Sequence, residues 1–145
     1  MDKGPASTAV TPSLSISHVL VARIDKKSIY IPISFKTAST SQTVEKEEAL
    51  ADTGASGRFI DKAYTQKLRI PKITLKQPID VYNVDGTLNK KGTITHQVRI
   101  LMTIGGRTKW ETFYCTGLGK QQIILGLPWF RENNPIIDWE TGHVS

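Results

Sequence analysis

Cysteine is almost absent: Cys115 is the only one in 145 residues. A disulfide within the chain is therefore excluded, and the composition suits a reducing compartment. The lone thiol reads as a small buried hydrophobe on a strand. Long apolar runs are also missing. No N-terminal stretch has signal-peptide length, and none elsewhere approaches the ~20 residues of a membrane-spanning helix. The three histidines, His18, His96 and His143, are widely separated and lack a metal-ligand partner nearby in sequence. There are no zinc-knuckle cysteines, and no internal repeat indicates a duplicated domain. What remains is a chain of one-domain length, with 39% hydrophobic residues to build a core.

The net charge of +6 raises the question of nucleic acid. The cations do not form a focused block: Lys62, Lys67, Arg69, Lys90, Lys109 and Lys120 are scattered among apolar and acidic neighbours. They read as a solvated basic surface, and a dedicated nucleic-acid site is not expected. Residues 1–15 are rich in Ser, Thr, Pro and Ala and read as a flexible leader, leaving 16–145 as the folded domain.

Alternation dominates the rest. Ile29, Ile31, Ile33 and Phe35 point one way along a half-buried strand, on which Pro32 predicts an edge or a bulge. A strand is expected before it at 18–24, and 45–51 leads into a turn at Asp52. Phe59, Ile60, Ala63, Tyr64 and Leu68 then recur at helical spacing, with Ser56 as the expected N-cap and Pro71 beyond the end. Strand character returns at 79–84. Two turn signals follow, Asp85-Gly86 and Asn89-Lys90-Lys91-Gly92. Ile94, Val98, Ile100, Met102 and Ile104 mark a long strand, Gly105-Gly106 a hairpin turn, and 107–115 the returning strand. A short apolar run at 122–125, a helix over 127–132 and a last strand at 136–139 complete an all-β reading with one or two short helices.

Asp52-Thr53-Gly54 occurs once, at the end of an apolar segment and followed by small residues. Peptide hydrolysis by carboxylates needs two of them, close enough to share a proton around one water. A chain with one such loop supplies one, so a catalytic loop here requires two copies of the chain. The Thr53 hydroxyl can donate and accept, and could lock two loops across a two-fold axis. Gly54 lets the backbone bring an N–H near the carboxylate. Ala55 and Ser56 are small enough to leave room for an extended peptide. Other acidic turns do not match. Glu140-Thr141-Gly142 lacks a following apolar helix, and Asp85-Gly86-Thr87 reads as hairpin chemistry. No matched base makes Ser56 a nucleophile. Alone, Asp52 could be a turn residue capping the next helix; the downstream Ile124-Leu125-Gly126 and the intervening hairpin favour the catalytic loop.

These residues carry a resemblance. The segment 49–56, the helix near Phe59, and Ile123-Ile124-Leu125-Gly126 resemble the retropepsins, the aspartic proteases of retroviruses and LTR retrotransposons. Asn83-Val84-Asp85-Gly86-Thr87, Ile124-Leu125-Gly126-Leu127-Pro128-Trp129 and Asn134-Pro135-Ile136-Ile137-Asp138-Trp139 look most like the gypsy class. The similarity covers about 17–142. It implies a closed retropepsin-like barrel with a flap hairpin. Asp52 would be catalytic, supported by Thr53 and Gly54. Ile124, Leu125 and Gly126 would brace the loop, and Ala55, Ser56, Val84, Asp85, Gly86 and Thr87 would meet substrate. It also implies an aspartic endopeptidase that needs no cofactor or metal, is active as a homodimer on extended polypeptide, and processes a Gag-Pol polyprotein in the cytoplasm or a virus-like particle. Ala51 departs from the larger aliphatic usual before the aspartate. It is the hint for the alternative, a catalytically silent or co-opted retropepsin-fold domain that binds peptides or proteins. The segment 136–139 could serve as the dimer strand.

Overall fold

A computed structural model describes residues 20–37, 43–83 and 85–145. The proposed leader at 1–15 and the N-terminal part of the expected strand at 18–24 lie outside the described residues. In chain order come β1 (Leu20–Val21), β2 (Arg23–Asp25), β3 (Ser28–Thr37), β4 (Val44–Ala51), β5 (Phe59–Asp61) and α1 (Lys62–Lys67). They are followed by β6 (Ile73–Ile79), β7 (Ile94–Ile104), β8 (Arg107–Thr116), β9 (Ile123–Leu125), α2 (Leu127–Asn133) and β10 (His143–Val144). The main sheet runs β2-β3-β4-β9-β5-β8-β7-β6, and a further pairing of β3 with β7 closes it into a barrel. β1 and β10 form a separate two-stranded sheet. The molecule is mostly β with two short helices, as the alternation predicted. Among the described residues no helix is long and apolar enough to cross a membrane.

Closure follows from one-sided strands. Ile29, Ile31, Ile33 and Phe35 of β3 face inward with Val98, Ile100 and Met102 of β7 and with Phe113 and Cys115 of β8. Each fully buried side chain of this size stabilises the fold by roughly 1.5–3 kcal/mol relative to exposure. Cys115 sits among them as an apolar filler, and burial raises its thiol pKa. Gly105 and Gly106 both take positive φ, 57° and 81°, giving the tight turn that joins β7 to β8 in continuous register. Pro32 lies inside the barrel wall. It falls between the part of β3 paired with β2 (Ser28 to Tyr30) and the part paired with β7 (Ser34 to Thr37), so the strand is locally an edge there. A bulge lies just beyond, between Ile33 and Phe35.

Four local readings need correction. Phe59 and Ile60 are strand, and α1 begins only at Lys62, with Asp61 as its N-cap in place of Ser56. The Asp61 carboxylate accepts from the Tyr64 N–H at 3.2 Å and the Leu118 N–H at 2.9 Å, tying α1 to the loop after β8. The strand expected at 79–84 lies earlier, at β6. That element is an edge strand and mostly exposed, so it has little alternation to read and tolerates Pro78. The expected strand at 18–24 is broken at Ala22. The last strand is β10; of 136–139, only Ile137 makes a bridge, to Val144. Asp138 organises that return, accepting from the N–H groups of Glu140 and Thr141.

Candidate active site

β4 delivers Asp52 to the mouth of the barrel. β9 threads beside it: Leu50 and Ala51 pair in parallel with Ile124 and Leu125, while β5 pairs with β9 from the other side. The loop 52–58 is thus the bridge between two strands that flank a third. Asp52 is anchored at its backbone, its N–H donating to the Leu125 carbonyl at 2.9 Å. Its exposed carboxylate is aimed by the Gly54 N–H, which donates to Oδ1 at 2.8 Å. The Ala55 N–H closes the turn on the Asp52 carbonyl at 3.2 Å, and the Leu127 N–H donates to the Ala55 carbonyl at 2.8 Å. Gly126 makes this approach possible. A Cβ there would lie 2.1 Å from the Gly57 carbonyl oxygen and 2.5 Å from that of Ala55, distances no side chain tolerates. Of the three residues expected to brace the loop, Leu125 accepts from Asp52, Gly126 lies against Ala55 and Gly57 where no side chain fits, and Ile124 pairs with Leu50 and Phe59 on either side of the loop. Ala51 is buried, registered against Ile29 and Leu125.

Past the loop, Arg58 forms a clamp that the sequence did not single out. Its guanidinium donates to Glu132 of α2 at 2.8 Å and lies 3.5 Å from Glu111 of β8; Lys109 adds a second cation 3.5 Å from Glu132. Arg58 Nε is buried, with no hydrogen-bond partner among the described residues. Burial pushes the Glu111 carboxyl up despite Arg58. Burial acts upward on Glu132 as well, but the hydrogen bond and charge of Arg58, with Lys109, hold it below the usual carboxylate range. The clamp fixes the far end of the loop to α2, whose Trp129 is buried and meets Phe130 edge-on at 5.1 Å.

Asp52, Gly54, Ala55 and Ser56 line an open cleft of about 970 Å³. Phe59 and Tyr114, with ring centroids 6.1 Å apart, form part of its floor, and Ile79, Asp80 and Val81 part of its wall. None of these five was singled out as a cleft residue from the sequence. Their sharing of a cleft depends on barrel closure and strand register, which leave no linear signal.

Beyond the wall, the chain forms a hairpin. The Tyr82–Leu88 bridge and the Asn89 N–H to Val81 carbonyl bond (2.7 Å) define its arms. The tip is the Asp85-Gly86 turn: the Gly86 N–H donates to the Asn83 carbonyl at 2.9 Å, and Gly86 has φ 89°. The Thr87 hydroxyl and N–H both donate to Asp85 Oδ1, holding that carboxyl below its usual range. Lys90–Gly92 is instead a short 3-10 turn at the base, capped by Asn89. Asp85, Gly86 and Thr87 belong to the tip and do not line the cleft, whereas Val84 lies outside the described residues. Among the described residues no three His, Cys, Asp or Glu side chains form a metal-ligand group.

A barrel whose single Asp-Thr-Gly loop is gripped by an apolar-apolar-Gly strand is the architecture of a retropepsin-like protease domain. The PEG10/RTL1 protease domain family matches residues 48–145, and the chain belongs to that family. The structure is also similar to the crystal structure of the retroviral protease-like domain of Ddi1 from Leishmania major. That match has 15% sequence identity and a TM-score of 0.49, and covers 81% of this chain and 91% of that one.

Proposed function

We propose that this chain is one half of an aspartic endopeptidase, completed by a second copy of itself. The observation that carries the reading is the Asp52 carboxylate, held at the cleft floor by Gly54 and Leu125 with open space in front of it. Two such carboxylates brought together cannot both ionise cheaply, so the pair keeps one proton. The ionised member takes a proton from a bridging water as that water attacks the scissile carbonyl. The protonated member donates a hydrogen bond to the carbonyl oxygen. The apparent pKa values belong to the pair. Substrate lies extended across the cleft, pairing like an added strand, under the 82–88 hairpin acting as a flap.

The copies would meet through the small sheet of β1 and β10 and the adjoining segment 136–139, where Val21, Ile136 and Trp139 leave 60%, 74% and 52% of their surfaces exposed. The physiological substrate class is a retroelement Gag-Pol polyprotein, cut in the cytoplasm or a virus-like particle. Digestion of a peptide library by the wild type and by Asp52→Asn tests the reading. The wild type cuts and is blocked by a transition-state inhibitor of aspartic proteases, while the variant is silent yet still dimeric. Cleavage by the variant refutes it.

A further inference from the structure

The cleft has a charge that the chain as a whole does not. The protein is basic, at +6, yet among the described residues no lysine, arginine or histidine lines the cleft. Its two carboxylates are Asp52 at the floor and Asp80 in the wall. Asp80 is exposed, and among the described residues no ion pair or hydrogen bond engages its side chain. This sets it apart from the neighbouring Asp85, whose carboxylate is occupied by Thr87. Lys90, in the turn at the hairpin base, does not line the cleft. Asp80 is flanked by Ile79 and Val81, and both also face the cleft. An acid set between two apolar residues is complementary to one kind of side chain, an aliphatic stem ending in a cation.

We propose that Asp80 is a specificity-determining residue, forming with Ile79 and Val81 a subsite for a lysine or arginine of the extended peptide. The inference rests on the endopeptidase reading and deepens it by naming the substrate chemistry. In a two-copy site each copy contributes one Asp80. Because the substrate is directional, the two subsites receive residues on opposite sides of the scissile bond.

The test separates binding from cleavage. Asp52→Asn removes the floor charge and any turnover, leaving Asp80 as the cleft's carboxylate. Fluorescently labelled octapeptides are titrated into it by anisotropy, with lysine, or the neutral and nearly isosteric norleucine, scanned through each position. Lysine is expected to bind about three- to fivefold more tightly at one position on each side, the range of a partly exposed ion pair, and less so at high salt. Adding Asp80→Asn abolishes the preference, and Asp80→Lys turns it into a preference for glutamate. A scan without a lysine preference, or one that survives Asp80→Asn, overturns the proposal. Failure of the endopeptidase reading looks different: the wild type then cuts none of these peptides, while the lysine preference in binding persists. Cleavage by the wild type without any lysine preference leaves the protease reading standing and removes this one. Binding of none of the peptides by either protein overturns both.

Discussion

Replacing Gly126 by alanine tests whether the apolar-apolar-Gly segment really braces the acidic loop. The backbone does not object, since φ at Gly126 is −100°. Steric contact does: the new methyl carbon would stand 2.1 Å from the Gly57 carbonyl oxygen and 2.5 Å from that of Ala55. Both obstacles are backbone, so the loop or the β9–α2 junction must move by about an ångström. Overpacking of this kind costs about 1–3 kcal/mol. The movement also stretches the 2.8 Å hydrogen bond from Leu127 to Ala55, worth about 1 kcal/mol. A loss of about 3 kcal/mol is expected, which lowers the melting temperature by roughly 10 °C in a domain of this size. Thermal denaturation followed by circular dichroism measures it. Hydrogen exchange at the Asp52 amide, which donates to Leu125, should accelerate along with it. Gly117→Ala is the control. A Cβ there meets nothing within 4 Å, so stability should change by less than about 1 kcal/mol. A Gly126→Ala protein that melts within about 2 °C of wild type, with Asp52 equally protected, would refute the bracing argument.

Three further perturbations have defined outcomes. Arg58→Gln leaves Glu111 and Glu132 without their shared cation, and should cost about 2 kcal/mol at pH 8, below the value for a fully buried pair because Glu132 is 42% exposed. The loss should shrink on acidification, first as Glu111 with its raised pKa takes up a proton and then as Glu132 follows below the usual carboxylate range; urea denaturation along that pH series checks the sign. Tyr64 donates its hydroxyl to Glu47, and burial together with that bond pushes the phenol pKa far above its ordinary 10.0. Its stabilising contribution is complete below about pH 10 and lost as pH climbs toward the raised value, so Tyr64→Phe should flatten the alkaline limb of a stability profile while costing about 1 kcal/mol at neutrality. Asp138 has a lowered pKa, owed first to the Glu140 N–H and then to that of Thr141, so its contribution is present above the usual carboxylate range and lost as pH falls through it. Asp138→Ala should speed amide exchange at Gly142 and Ser145, and unchanged exchange would count against its role in the C-terminal return.

The parts of the fold visible in the sequence are those where one face of a strand is buried over many residues. β3 and β7 announced themselves through alternating isoleucines, and the Gly105-Gly106 turn through residues that accept positive φ. Phe59 and Ile60 misled because β5 is only three residues long and runs straight into α1. Ile60 on the strand and Tyr64 on the helix are both buried, so their spacing mimics one longer helix. β6 was hidden by exposure. The Asp52 loop and the Gly126 segment packed against it were legible because a local turn and a close backbone approach each demand particular small residues. The rest of the cleft lining was not: Ile79, Asp80 and Tyr114 lie on segments brought together only by barrel closure.

The central claim is that two Asp52 carboxylates from two copies form one catalytic site. Wild-type chains and Asp52→Asn chains, mixed under conditions that allow subunit exchange, test it most directly, with cleavage of a fixed peptide as the readout. If each active site needs both aspartates, activity at equal mixing falls to about a quarter of the undiluted wild type, because only dimers of two wild-type chains cut. Activity of about one half, in proportion to the wild-type fraction, would mean that each chain works alone and would contradict the account.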